Sequence, residues 1–95
     1  MTMTDSAEFF TKVESLRKHM MLNISQLTQL LGVSRMAYYG WLKGKPISKP
    51  SEEKVKKTVK NLLVVMKEYN WPTTVEIVME PSERFERLKE ILADL

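Results

Sequence analysis

The ten residues from Leu31 to Gly40, LGVSRMAYYG, constrain the fold more than any other stretch of the chain. Glycine adopts the left-handed conformation that ends many helices, so Gly32 predicts the end of one helix. Serine is a favoured N-cap because its hydroxyl accepts a hydrogen bond from a first-turn amide, so Ser34 predicts the start of another. The stretch therefore predicts two helices joined by a tight turn.

Apolar residues at helical spacing continue this pattern towards the N-terminus. We expect a first helix over residues 5–21, with Asp5 as its N-cap. A short second helix begins after Asn23, because Asn23 and Gln26 form a capping pattern. The third helix covers residues 34–43, so three helices are expected before the proline-containing loop KPISKP.

Beyond that loop the sequence predicts a long helix, a strand and a last helix. Ser51 would cap the long helix, whose buried stripe is expected to comprise Val55, Val59, Leu62, Met66 and Tyr69. The segment 73–79, TTVEIVM, is rich in β-branched residues and predicts a short strand. A final helix is expected over 82–94. The expected fold class is mostly α, a helix-turn-helix bundle of about five helices with one short C-terminal β-strand.

The predicted strand has no partner elsewhere in the chain, and an unpaired strand edge can pair with a second copy. We therefore expect residues 71–95 to form a strand-helix dimerisation extension of the domain formed by residues 1–70. The side chains expected at the dimer interface are Val75, Ile77, Met79, Phe85, Leu88 and Leu92. The alternative is that the strand and last helix fold back on their own chain as a cap.

Charge and composition favour some functional classes and exclude others. Residues 1–50 carry a net charge of +4 and residues 51–95 a net charge of −1, which suits a protein that meets a polyphosphate with one face. The chain has no cysteine and one histidine, and we find no nucleophile with a nearby base and no glycine loop for phosphate. We therefore expect no enzyme, metal, cofactor or small-molecule substrate.

The sequence also bears on location. No apolar run approaches the roughly 20 residues of a membrane span, and the N-terminal residues lack a signal-peptide pattern. We expect a cytoplasmic protein that does not contact membranes.

The third predicted helix has two chemically distinct sides. At about 100° per residue, Arg35, Met36, Tyr39 and Lys43 share one side, opposite Trp41. A guanidinium, a thioether, a phenol and an ammonium group can together donate to guanine, contact thymine methyls and reach phosphate.

Residues 16–45, LRKHMMLNISQLTQLLGVSRMAYYGWLKGK, resemble the helix-turn-helix of the phage repressor and Cro family. The resemblance implies that the start of the third helix contacts DNA bases, through Ser34, Arg35, Met36 and Tyr39. It also implies phosphate contacts near Asn23, Ser25, Gln26, Lys43 and Lys45. Residues 31–43 are similar as well to the N-terminal helix-turn-helix of some insertion-sequence transposases, which would make the chain a detached DNA-binding module.

The chain departs from the repressor family at the contact between its first and third helices. Many members pair an arginine of the first helix with an acid near the end of the third. Arg17 is present here, but Leu42 and Lys43 offer no acid. We therefore expect Arg17 to be free for phosphate or another partner. Tyr38 replaces a smaller aliphatic residue, and we expect it to alter the packing between the helices.

These observations predict a sequence-specific DNA-binding transcriptional regulator. The expected form is a homodimeric repressor that reads a palindromic operator in double-stranded DNA through its third helix. The alternative is an antitoxin-like or accessory interaction protein whose C-terminal half binds a protein partner.

Overall fold

A computed structural model describes the backbone of residues 3–95 and the side chains from residue 7 onward. Along these residues the chain forms six helices and no strand. They are α1 (Met3–His19), α2 (Ile24–Leu31), α3 (Arg35–Leu42), α4 (Lys49–Glu68), α5 (Thr74–Ile77) and α6 (Pro81–Ala93). The mostly helical class is confirmed, whereas the predicted strand is wrong. Asp5, the predicted cap of the first helix, lies outside the described side chains.

The hydrophobic core takes side chains from every helix except α5. Its aromatic centre lies between α1 and α3, where the Phe10 ring stacks on Trp41 with 5.2 Å between ring centroids. Tyr38 meets the same ring edge-on at 5.8 Å. Leu31 of α2 and Leu62 of α4 are fully buried in the same core. The first three helices therefore pack as one unit against α4.

The segment predicted as a strand contains helix α5 instead. The hydroxyl of Thr73 accepts from the amide of Val75 at 3.2 Å, and the Glu76 carboxylate accepts from the amide of Thr73 at 2.6 Å. This reciprocal capping box starts a helix in spite of the β-branched composition. Because no strand forms, the predicted two-stranded ribbon between copies is wrong, and dimerisation itself stays a prediction.

The C-terminal region packs against the rest of the chain. The indole of Trp71 is buried and donates to the carbonyl of Met20 at 3.0 Å. Phe85 and Leu88 are buried in the common core, so two residues expected at a dimer interface are already covered within the chain. Leu92 is half-buried against that core.

Helix α4 begins one turn earlier than expected. Ser48, not Ser51, is its N-cap, and Pro50 lies in its first turn, where a missing amide hydrogen costs no intrahelical bond. Tyr69 was expected to be buried but is about half exposed, whereas Val65 is fully buried. No helix among the described residues is long and apolar enough to cross a membrane.

Candidate nucleic-acid interface

The turn between α2 and α3 is built as its sequence predicts. Gly32 ends α2 with φ of 73°, and its amide donates to the carbonyls of Thr28 and Gln29. The hydroxyl of Ser34 accepts from the amide of Ala37 at 3.0 Å and caps α3. Lys54 of α4 adds a contact that the sequence did not indicate, because its ammonium donates to the Gly32 carbonyl at 3.3 Å. The turn between the two helices consists of three residues, Gly32, Val33 and Ser34.

A matched pair of glycine variants tests this turn. Gly32→Ala should lower the free energy of unfolding by about 1 to 2 kcal/mol, since its φ is positive. Gly40→Ala is the control, because Gly40 lies inside α3 and its added Cβ would meet only the Lys45 side chain, at 3.2 Å from Cδ. It should raise the free energy of unfolding by about 0.5 kcal/mol. Urea titrations that give equal losses for both variants would contradict the proposed role of Gly32.

Helix α3 has one buried side and one exposed side. Tyr38 and Trp41 face the core. On the other side Arg35 is exposed, Met36 is 83% exposed and Tyr39 is 47% exposed. Met36 makes little contact with the rest of the chain, and about half of Tyr39 is in contact with solvent, so this side is accessible to a ligand.

The exposed side continues beyond the end of α3. Lys43 is the C-cap residue and is exposed, and the amide of Lys45 donates to the Gly40 carbonyl at 2.9 Å. The Lys45 side chain crosses Gly40 closely, and its Cδ lies 3.2 Å from the position that a Cβ on Gly40 would take. A shallow groove of about 330 Å³ lies here, lined by Ser34, Met36, Ala37, Gly40, Trp41, Lys45 and Pro46.

The start of α2 has first-turn donors. Asn23 and Gln26 form a reciprocal capping box, in which Asn23 Oδ1 accepts from the Gln26 amide at 2.7 Å and Gln26 Oε1 from the Asn23 amide at 3.0 Å. Their oxygens are engaged, but each side-chain NH₂ remains a donor. Ser25 is exposed in the same turn, and first-turn amides have no intrahelical acceptor. This end of α2 can therefore bind an anion.

The Glu14 carboxylate of α1 contacts α3 directly, and it contacts the connection to α2 through Arg17. Glu14 accepts from Arg17 at 2.8 and 3.0 Å and from the hydroxyl of Tyr38. Arg17 also donates to the carbonyl of Leu22 at 2.8 Å. Of the two possibilities expected for Arg17, phosphate or another partner, the structure shows another partner, an acid on its own helix one turn earlier. The i to i+3 spacing of Glu14 and Arg17 was the available sequence signal.

The electrostatics of this linkage favour its hydrogen-bonded form. The hydrogen bond from Arg17 holds the pKa of Glu14 below its usual value, against the opposing effect of burial. Burial, together with the hydrogen bond to Glu14, raises the pKa of Tyr38. Tyr38 therefore stays protonated and donates, while Glu14 stays ionised and accepts. The buried side of α3 is held in one orientation by this contact.

The remaining predicted interface residues lie in the C-terminal region. Val75 and Ile77 are about half exposed on α5, and Met79 is half-buried. No group of three or more His, Cys, Asp or Glu residues that could hold a metal occurs within the part of the chain that the structure describes. Comparison with protein-family models, curated proteins and solved structures finds no match for this chain.

Proposed function

We propose that the chain is a sequence-specific DNA-binding regulator, a homodimeric repressor that reads a palindromic operator through α3. The observation that supports this most is that one side of α3 is packed against the core while the opposite side is exposed to solvent. Tyr38 and Trp41 hold the helix against the core, while the opposite side chains face solvent. A recognition helix needs both properties, because base contacts are specific only if the backbone that presents them is fixed.

The exposed side of α3 has the chemistry of base recognition. Arg35 can donate two hydrogen bonds to guanine O6 and N7 in the major groove. The thioether of Met36 can pack on a thymine methyl. Ser34, the N-cap of α3, and Tyr39 carry hydroxyls that donate or accept, and both residues are exposed.

Phosphate contacts on either side of α3 would fix the register of the protein on the duplex. Lys43 and Lys45 follow α3, and the donors of Asn23, Ser25 and Gln26 stand at the start of α2. Such contacts add affinity without reading sequence, and they make binding dependent on salt.

A homodimer would place two copies of α3 in successive major grooves, about 34 Å apart. This arrangement doubles the number of bases that one short helix can read. The proposal locates the protein in the cytoplasm, together with the DNA that it regulates.

The second candidate function is an antitoxin-like or accessory protein whose C-terminal half binds another protein. It is favoured by one observation, the exposure of Val75 and Ile77 of α5 and of Val78, which follows this helix. Under this hypothesis DNA binding would be weak or unselective.

Selection of bound sites from random double-stranded DNA by the purified full chain tests the proposal. We expect enrichment of a palindrome with half-sites about one helical turn apart. The double variant Arg35→Ala/Tyr39→Ala, selected in parallel, should lose the preference at the bases that these side chains read. Absence of any enriched sequence with the unaltered chain would refute the regulator and leave the interaction protein. The same motif from the double variant would refute the assignment of α3.

A further inference from the structure

Helix α5 buries an acid and exposes aliphatic side chains, which is the opposite of an ordinary surface helix. Its buried residue is an acid, Glu76, which is 4% exposed. Val75, Ile77 and Val78, here called the aliphatic patch, are 57%, 49% and 82% exposed. Surface helices usually bury their apolar residues and expose their acids.

Specific contacts hold α5 in this reversed orientation. The Glu76 carboxylate accepts from the Thr73 amide at 2.6 Å and from Arg87 Nε at 2.8 Å. Arg84 is buried and donates to the backbone carbonyls of Glu76 and Met79 at 3.1 and 3.0 Å. Burial opposes ionisation of Glu76, but the hydrogen bonds from Thr73 and Arg87 outweigh it and hold its pKa below the usual value. These contacts with Glu76 and with the backbone of α5 therefore hold the aliphatic patch facing solvent.

Acidic residues without an ion-pair partner follow the aliphatic patch along the chain. Glu83 lies in the first turn of α6, and Glu90 lies two turns later at a spacing that puts both on one face. Neither forms a salt bridge with any side chain that the structure describes. Arg87 lies between them on the same face, but its guanidinium is paired with Glu76 of α5. The two acids are therefore the unpaired charges of this face of α6.

Helix α4 presents the complementary surface. Lys60 and Lys67 are exposed and have no salt bridge among the side chains from residue 7 to the C-terminus. Leu63 lies between them on the same face and is 44% exposed. This outer face of α4 therefore combines an exposed aliphatic side chain with two unpaired cations.

We propose that the aliphatic patch of one copy docks on the outer face of α4 in a second copy, and reciprocally across a twofold axis. This inference rests on the homodimer of the proposed function and names its interface. A stable interface needs about 800 Å² from each partner, more than three aliphatic side chains supply, so the charged rows of α4 and α6 must take part. Two identical contacts related by the twofold axis double the buried area.

The spacing of the charges allows α4 to pair with the partner's α6, and we assign this contact as antiparallel. Lys60 and Lys67 are seven residues apart, as are Glu83 and Glu90, which is about 10.5 Å along each helix at 1.5 Å per residue. Antiparallel docking sets Lys67 against Glu83 and Lys60 against Glu90. A parallel contact would instead pair Lys60 with Glu83, and reversing the charges of Lys67 and Glu83 together would then not restore the dimer.

Sedimentation equilibrium of the full chain without DNA, across micromolar concentrations, measures the dimer dissociation constant. Val78→Asp should raise this constant at least about tenfold, because it places a charge in the desolvated centre of the contact. Leu95→Asp is the control, since Leu95 is an exposed aliphatic residue outside the patch, and it should change the constant less than about twofold. Circular dichroism and thermal melting confirm that each variant is folded.

A charge exchange tests the pairing itself. Lys67→Glu and Glu83→Lys should each weaken the dimer, and the double variant Lys67→Glu/Glu83→Lys should restore it, because both symmetric contacts are then reversed together. A monomeric unaltered chain, a dimer indifferent to Val78→Asp, or a double variant as weak as the two single changes combined would overturn the interface. A dimer that follows these expectations but selects no DNA site would refute only the proposed function. A chain that selects a palindrome while folded patch variants stay dimeric would refute only this interface.

Discussion

Replacement of Glu14 by alanine is expected to lower the free energy of unfolding by about 2 kcal/mol, because it removes the carboxylate that accepts from the part-buried Arg17 and from the buried Tyr38. The Arg17 guanidinium would keep only its bond to the Leu22 carbonyl, and the hydroxyl of Tyr38 would lose its partner. Tyr38→Phe removes one hydrogen bond with its donor and should cost about 1 kcal/mol. Urea titration measures both. Glu8→Ala is the control, since Glu8 is an exposed acid of the same helix, and it should change stability by less than about 0.5 kcal/mol.

The contribution of Glu14 should also depend on pH. Its pKa is lowered in the folded chain from 4.5, so its stabilising effect is fully present above pH 4.5 and is lost as the pH falls through the folded value. The stability difference between the unaltered chain and Glu14→Ala should therefore be constant near neutral pH and shrink in acid. A difference that persists undiminished at low pH, or a loss no larger than that of Glu8→Ala, would contradict the linkage.

Arg35→Ala is expected to lose about 1 to 3 kcal/mol of discrimination at one base pair of the selected site, if Arg35 makes a bidentate contact to guanine. The loss should be confined to that pair. Fluorescence anisotropy with the selected site and its single-base variants measures it.

Lys43→Ala is the matched control for Arg35→Ala, since both remove an exposed cation from the same side of the structure. It should weaken binding to all sequences about equally and reduce the slope of log K against log salt by about one unit. If Lys43→Ala altered sequence preference while Arg35→Ala altered only the salt slope, the two assignments would have to be exchanged.

The elements that the sequence predicted well are those whose signals are local. The capping box of Asn23 and Gln26, the stop at Gly32 and the cap at Ser34 each involve residues within four positions of one another. The separation of α3 into a buried and an exposed side followed from helical periodicity alone. Neither signal requires knowledge of the rest of the fold.

The predicted strand does not form because the local capping box outweighs the β-branched composition. β-Branched residues favoured a strand, but the Thr73 to Glu76 spacing already carried a capping box. Tertiary contacts also determine the orientation of this helix, since Arg84 and Arg87 of α6 contact α5 and hold Glu76 inward. Hydrophobic periodicity assumes that apolar residues are buried and acids are exposed. It cannot identify α5, because α5 has the opposite arrangement.

The linkage at Glu14 was missed for a different reason. Its ion pair with Arg17 is local, but the hydrogen bond from Tyr38 joins residues 24 positions apart. The repressor-family resemblance implies an acid at the end of the third helix, where this chain has Leu42 and Lys43. Only the packing of α3 on α1 brings the phenol to the carboxylate.

The most direct test of sequence-specific recognition is the ratio of dissociation constants for the selected site and a shuffled site, at one fixed salt concentration. The account predicts a ratio of at least about 10³ for the unaltered chain. For Arg35→Ala/Tyr39→Ala the ratio should fall by more than about tenfold. A ratio near one for the unaltered chain, or an undiminished ratio for the double variant, would contradict recognition through α3.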